Sequence, residues 1–286
     1  MLKQLVSLFK FRIGVMMMIT ALVAMMVTPG RSLNGLEILV LALAVLASAA
    51  AAGAFNQYYE SDLDARMQRT RDRPFVTGAL HKNPVWLVLI VSLLAVSAVA
   101  TTLVLNPTTA LWIFLGAFFY AVVYTVWLKR RTWLNIVIGG ASGSFAVLAG
   151  AAAVSPIMEP VPILLALVLF FWTPSHFWSL AIARHDDYAA VGVPMLPVVV
   201  GDQRAAKVVL ANTLALVTVS ILPFFFGLSW IYLAGAVSGG GYFIYTNLQM
   251  LKDQSPKIAM KSFFASLLQL VLLLTGAVLD VLVFSG

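Results

Sequence analysis

The sequence predicts an all-α, polytopic membrane protein with nine transmembrane helices around a central cavity. Three observations predict it: 62% of the 286 residues are hydrophobic, only 10% are charged, and mean hydropathy is +0.98. A water-soluble domain carries about 25% charged residues to cover its surface. A chain this apolar cannot hide its side chains inside a globule of its size. The lack of cysteine excludes a disulfide scaffold, and the apolar excess excludes a disordered chain. The net charge of +7 does not call for nucleic acid, because the charges sort by membrane side.

A bilayer core of about 30 Å takes about 20 apolar residues per helix. On that ruler the spans fall at 13–29, 37–56, 85–105, 109–128, 132–154, 162–183, 207–227, 230–249 and 260–284. Of the 18 Lys and Arg residues, all but Arg31 then lie on one side, which places the N-terminus in the cytoplasm and the C-terminus outside. The first apolar run, Ile13 to Val27, follows basic residues as a secretory leader would. The segment after it, Thr28-Pro29-Gly30-Arg31, lacks the small-x-small cleavage pattern, so the run reads as the first span. Residues 1–286 read as a single transmembrane domain.

Two connections on the basic side exceed mere linkers, at about 57–84 and 184–206. They follow the second and sixth spans, four helices apart. That spacing suggests two four-helix halves facing one another across a cavity, with a ninth helix added. Nothing between Asn56 and Arg73 breaks a helix, so the second span is expected to continue past the membrane surface. On such a helix Asn56, Glu60 and Asp64 stand at i, i+4 and i+8 and form one polar stripe. Asp62, ~200° from Glu60, points elsewhere.

One amide and two carboxylates on a single face make a site for a hard cation. Magnesium takes few protein carboxylates and fills its shell with water and substrate phosphates. Arg66, Arg69 and Arg73 follow at helical spacing and could clamp a phosphate. The residues alone leave a second reading open, in which the acids simply pair with the arginines in a solvated interfacial helix.

The three histidines differ in setting. His81 sits beside Lys82 in a polar loop and reads as solvated; His185 adjoins Arg184 and Asp186 and can pair locally. His176 lies inside the apolar sixth span, where an ionisable residue marks function by default. The alternative is a buried imidazole satisfied by a neighbouring carbonyl. Gly139 and Gly143 form a small-xxx-small pair that reads as close helix packing. No phosphate-binding Walker loop, zinc spacing or Ser-His-Asp set occurs.

Asn56-x3-Glu60-x3-Asp64, continuing as Arg69-Thr70-x2-Arg73-Pro74, resembles the first acidic motif of the UbiA superfamily of intramembrane aromatic prenyltransferases. Further segments narrow the resemblance. They are Tyr124-Thr125-x2-Leu128-Lys129-Arg130-x-Thr132, Asn135-Ile136-x2-Gly139-Gly140 and Trp172-Thr173-Pro174-x-His176-Phe177-Trp178. The last leads into Asp186-Asp187-Tyr188-x3-Gly192-Val193-Pro194-Met195-Leu196-Pro197-Val198. Together they are similar to the protohaem IX farnesyltransferase (haem O synthase) family, in register from about Asn56 to Arg204. Three positions depart from the family pattern: Glu60 where many members carry Asp, Ser175 where Pro is frequent, and Phe145 to Leu148 where a Pro pair is common.

The resemblance implies a UbiA-type fold and a magnesium-dependent transferase of the bacterial cytoplasmic (inner) membrane. It would move farnesyl from farnesyl diphosphate to a vinyl group of haem B, giving haem O for a downstream haem A synthase or terminal oxidase assembly. It assigns metal binding to Glu60 and Asp64 and to a second acidic segment, Asp186 and Asp187 beside Tyr188. Asn56 joins the first pair, and Arg66, Arg69, Arg73, Lys129 and Arg130 serve the diphosphate. His176 becomes the axial iron ligand or an acceptor-positioning group, with Trp172 and Trp178 facing the porphyrin. Other readings are a prenyltransferase for an aromatic acid or quinone precursor, and a transporter. Quinone-type relatives carry a second Asp-rich motif in place of His176, and a transporter would hold its charges nearer the midplane.

Overall fold

The computed structural model describes residues 2–284, which contain helices and no strands. In chain order the helices are α1 (Leu2–Leu8), α2 (Phe11–Val27), α3 (Gly35–Tyr59), α4 (Ser61–Asp64), α5 (Val85–Val104) and α6 (Pro107–Phe118, widening into a π-helix over Phe119–Leu128). Then come α7 (Asn135–Val154), α8 (Pro160–Ala183), α9 (His185–Ala190), α10 (Leu196–Val200), α11 (Asp202–Ile221, tightening into a 3-10 turn over Leu222–Phe226), α12 (Trp230–Lys252) and α13 (Pro256–Phe284). Each expected span falls on one long helix. Seven of these are long and apolar enough to cross a membrane; α2 is apolar but has 17 residues, and α12 is not among the seven. Large apolar side chains such as Val88 and Leu103 face outward, as a hydrocarbon surrounding requires.

The helix ends follow from local chemistry. Asn34 and Glu37 form a reciprocal capping box at the start of α3. Asn106 caps α6, with Pro107 at its first position. At α12 the Asp280 carboxylate, reaching across from α13, accepts from the backbone N–H groups of Ser229 and Tyr232.

Neighbouring helices close a ring. Helices α2, α3, α5 and α6 pack together, and α7, α8, α11 and α12 pack in succession. The last helix, α13, lies against α12, α8 and α2, and so joins the second group back to the first. This is the arrangement of two groups of four plus one that the loop spacing suggests.

The groups meet closely where α7 crosses α2. A Cβ at Gly150 would overlap the Ala21 carbonyl oxygen. Of the expected glycine pair, Gly139 does admit a close neighbour, since its Cβ would sit 2.7 Å from Tyr124. Gly143 does not; nothing there comes nearer than the Leu169 side chain at 3.9 Å.

One expectation fails. The second span does not run on to Arg73: α3 ends at Tyr59, Glu60 turns out of helical geometry, and only the short α4 follows. The cause is tertiary, because Leu63 and Met67 are drawn into a buried cluster with Ile136, Tyr188, Val193 and Met195. A straight helix would carry them away from that cluster.

Gly150→Val is expected to destabilise the fold by at least about 2 kcal/mol, the scale of forced overpacking. Gly143→Ala should be tolerated. Thermal unfolding of the detergent-solubilised variants compares the two.

Candidate active site

The site grows from the junction of α3 and α4. Although the helix breaks, the stripe survives, because the Asp64 N–H still donates to the Glu60 carbonyl at 2.8 Å and the Glu60 N–H to the Asn56 carbonyl at 3.0 Å. Asn56, Glu60 and Asp64 therefore stay on one side, and all three are buried. Glu60 has no exposed surface and Asp64 has 1%. Carboxylates so deprived of water need cations. Lys129 Nζ donates to Glu60 Oε2 at 2.5 Å, and Arg73 Nη1 donates to Asp64 Oδ2 at 2.6 Å. Burial pulls the Lys129 ammonium below the usual lysine range, while Glu60 opposes that shift.

Asn56 is fully committed. Its Nδ2 donates to Glu60 Oε2 at 2.8 Å and to Thr125 Oγ1 at 3.0 Å, and its Oδ1 accepts from Lys10 Nζ at 2.6 Å. The same ammonium donates to Tyr120 OH at 2.7 Å. Tyr120, Thr125 and Lys129 reach these partners because α6 is π-helical there: the Lys129 N–H bonds back five residues to the Tyr124 carbonyl. π-helical turns rotate side chains out of α register and recur at functional sites.

The second loop meets the first through the cluster that breaks the α3 extension. Tyr188 is buried beside Leu63 and Met67, and Asp186 and Asp187 precede it on α9. Asp186 is exposed, whereas Asp187 is half-buried. His185 does not pair with the adjoining Arg184 or Asp186 but lies 2.7 Å from Asp202, at the start of α11. His81 is exposed, as its sequence setting suggests.

Two carboxylate oxygens here are buried without a hydrogen-bond partner, Glu60 Oε1 and Asp187 Oδ2. Bare lone pairs of that kind suit a hard cation such as magnesium. Among the described residues no three His, Asp or Glu side chains come together to hold a metal unaided. A magnesium ion here would take the remaining oxygens from substrate and water, its normal habit.

Not every expected residue joins this cluster. Arg66 and Arg69 are exposed on the turns after α4. Arg130 makes a two-pronged ion pair with Asp62 at the surface, holding the Asp62 carboxyl below its usual range. Asp62 thus points away from the stripe, as the helical angle requires. The sequence reading missed Lys10, Tyr120 and Thr125. Lys10 left a signal there as part of Lys10-Phe11-Arg12 at the start of the first span, and Thr125 as part of the Tyr124-Thr125 segment, though neither signal assigns a role.

His176 lies deeper, on α8, and is buried between the rings of Trp172 and Phe263, each 4.2 Å away between centroids. Its Nδ1 is 2.7 Å from Ser266 Oγ, and that hydroxyl donates its single hydrogen to the Phe263 carbonyl at 2.6 Å. With the Ser266 hydrogen on that carbonyl, the tautomer that fits has Nδ1 as donor to Ser266 and the Nε2 lone pair bare. Trp172 shares this face and donates to the Ser266 carbonyl at 2.8 Å. Trp178 does not share it. It packs among Ile182, Leu196, Ala205 and Met250 and tilts against Trp133, because two residues beyond His176 is ~200° around the helix.

The departures from the family pattern are absorbed by packing. Ser175 Oγ accepts from Asn212 and Thr213 and so ties α8 to α11 beside Pro174. Phe145 stacks on Trp112 and meets Phe119 edge-on.

Residues 17–268 match the profile of the UbiA prenyltransferase family. The chain belongs to the UbiA prenyltransferase family. It is similar to a protein named protoheme IX farnesyltransferase 2 from Paramagnetospirillum magneticum, 52% identical over 279 residues that cover 98% of this chain and 97% of the relative. A solved digeranylgeranylglyceryl phosphate synthase shares the fold, with TM-score 0.81 at 18% identity and 99% of each chain covered. So does a UbiA homologue from Archaeoglobus fulgidus bound to DMAPP and Mg2+, with TM-score 0.70 at 15% identity over 94% of this chain and 99% of that one.

Lys129→Met, which strands a buried carboxylate, is expected to cost about 3–5 kcal/mol. Arg130→Gln should stay within about 1 kcal/mol, since it breaks only a surface pair. Denaturant unfolding in micelles separates these outcomes.

Proposed function

We propose that this protein transfers the farnesyl group of farnesyl diphosphate to a vinyl group of haem B, giving haem O. The observation that carries the reading is the buried Glu60–Asp64 stripe, flanked by Lys129 and Arg73 and left with a bare Glu60 Oε1. Its support from relatives is the similarity to the protoheme IX farnesyltransferase of P. magneticum.

In this reaction the bond between the allylic carbon and the diphosphate oxygen breaks, and its electron pair leaves with the diphosphate. The vinyl π electrons form the new carbon–carbon bond. Water then adds to the carbon left cationic and loses a proton, completing the hydroxyethylfarnesyl side chain. Negative charge builds on the leaving group, so cations already in place stabilise the transition state. Lys129 and Arg73 are those cations, held by Glu60 and Asp64 until diphosphate arrives. Arg69 and Arg66, on the exposed turns, meet the substrate first.

Glu60 and Asp64 would hold magnesium together with diphosphate and water oxygens, and its charge would supply Lewis-acid stabilisation of the departing diphosphate. Asp187 and Asp186 of the second loop do not gather with them and would reach the metal only through the substrate. The magnesium in the A. fulgidus homologue supports this assignment. Beyond the charged layer apolar side chains predominate in the bundle, and they would keep bulk water from quenching the allylic cation.

His176 takes the acceptor. Its free Nε2 is the lone pair that an iron porphyrin accepts, and Trp172 stacks beside it. A quinone precursor has no use for such a ligand. The basic ends of the helices face the cytoplasm of a bacterial inner membrane. The product passes to a haem A synthase or to assembly of a terminal oxidase.

Purified protein mixed with haem B, farnesyl diphosphate and magnesium should yield a pigment heavier by a farnesyl and a hydroxyl group, detected by mass analysis. Unaltered pigment under those conditions contradicts the reading. Glu60→Gln and Asp64→Asn should each lower turnover about 10²–10³-fold while still binding haem B. Ser266→Ala should weaken haem B binding about 10–100-fold, the usual effect of removing a group that orients a ligating histidine. A Soret titration that matches the unmodified protein would remove His176 from the iron.

A further inference from the structure

Lys10 is the one non-glycine residue with positive φ among the described residues, at φ 45° and ψ 44°. Such a backbone persists only where surrounding contacts impose it, and it recurs at functional sites. Three residues of α3 at helical spacing impose it here. Gln57 Nε2 donates to the Ser7 carbonyl at 2.7 Å and to the Leu8 carbonyl at 3.3 Å, pinning the end of α1. Gly53 makes room for the lysine stem, since a Cβ there would lie 3.2–3.3 Å from its Cβ, Cγ and Cδ. Asn56 receives the ammonium.

The direction of the side chain is the telling feature. A lysine at a membrane surface ordinarily lays its stem on apolar groups and sends its charge out to water. Lys10 sends its charge inward, to two neutral oxygens, Asn56 Oδ1 and Tyr120 OH. An ammonium has three donors, and these contacts use two. Asn56 also binds Glu60, the partner of Lys129, so Lys10 adjoins the carboxylate stripe without neutralising it. Lys10, Arg73 and Lys129 face two carboxylates, Glu60 and Asp64, each already paired, so a protonated Lys10 has no counter-ion of its own.

We propose that Lys10 binds the diphosphate of the prenyl substrate, delivered by the left-handed turn between α1 and α2. The proposal rests on the diphosphate site described above and adds to it a binding residue from the first helices. Burial holds the free ammonium well below the usual lysine range, and an arriving diphosphate supplies the countercharge it lacks.

The test is calorimetric titration of inorganic pyrophosphate into the purified full-length protein in micelles with magnesium, beside a Soret titration of haem B. Lys10→Met removes the charge and keeps the stem. Lys10→Gly keeps the turn, because glycine adopts positive φ without strain, and so preserves the fold if the methionine variant does not. Both should weaken pyrophosphate binding at least about tenfold, the loss of a charge-assisted contact. Haem B affinity should change less than about twofold. Gly53→Ala, which presses on the stem, should weaken pyrophosphate binding by a smaller factor. Pyrophosphate affinities in Lys10→Gly and Lys10→Met equal to that of the unmodified protein overturn the role of Lys10 alone. Failure of the unmodified protein to bind pyrophosphate overturns the site and Lys10 together. Normal pyrophosphate binding without farnesyl transfer to haem B overturns the proposed reaction and leaves Lys10 standing.

Discussion

Two carboxylates shut away from water, Glu60 and Asp64, set the terms for this molecule. Removing an ionised carboxylate from water costs several kcal/mol even after relaxation, and only well-placed cations offset it. Those cations come from separate parts of the chain: Lys129 from the end of α6 and Arg73 from the turns after α4. The π-helical end of α6 and the break after Tyr59 are both needed to bring the partners together. Two irregularities in an otherwise regular bundle thus serve one electrostatic arrangement, although it is apolar packing of Leu63 and Met67 that breaks the helix.

The arrangement suits a site that must accept a highly charged group and release it again. Paired with their own cations, the acids keep the ligand-free protein stable. On the proposed reading, an incoming diphosphate would offer Lys129 and Arg73 a new partner and leave the carboxylates free for a metal. The surroundings of His176, the proposed acceptor end, are built differently, from neutral groups: Nδ1 meets the Ser266 hydroxyl, and aromatic rings enclose the imidazole. The paired charges of the stripe thus gather at the basic end of the ring, while His176 lies among neutral groups. Two grooves open on the flanks, about 490 Å³ beside Lys257, Lys261 and Phe264 and about 310 Å³ beside Trp112, Leu148 and Phe170. Neither is lined by the acidic stripe.

The positions of the long helices were legible because twenty-residue apolar runs are a local signal. The stripe was legible because i, i+4 spacing survives even a helix break that retains its backbone bonds. The inward position of His176 could be read because a lone ionisable group in an apolar span has few other uses. The continuous helix expected through Arg73 was wrong because Leu63 and Met67 answer to Tyr188, which lies more than a hundred residues away in sequence. Trp178 was grouped with His176 by nearness in sequence, although helical geometry already separates them. Lys10, Tyr120 and Thr125 were missed because contacts 46 to 110 residues apart leave no periodic trace.

A structure of the protein with magnesium and a non-transferable farnesyl diphosphate analogue tests the central claim most directly. The account predicts magnesium about 2.0–2.1 Å from Glu60 Oε1, Lys129 and Arg73 turned toward the diphosphate, and the farnesyl chain directed into the bundle. A diphosphate bound at the Lys257–Lys261 flank, with Glu60–Lys129 and Asp64–Arg73 still paired, would contradict it.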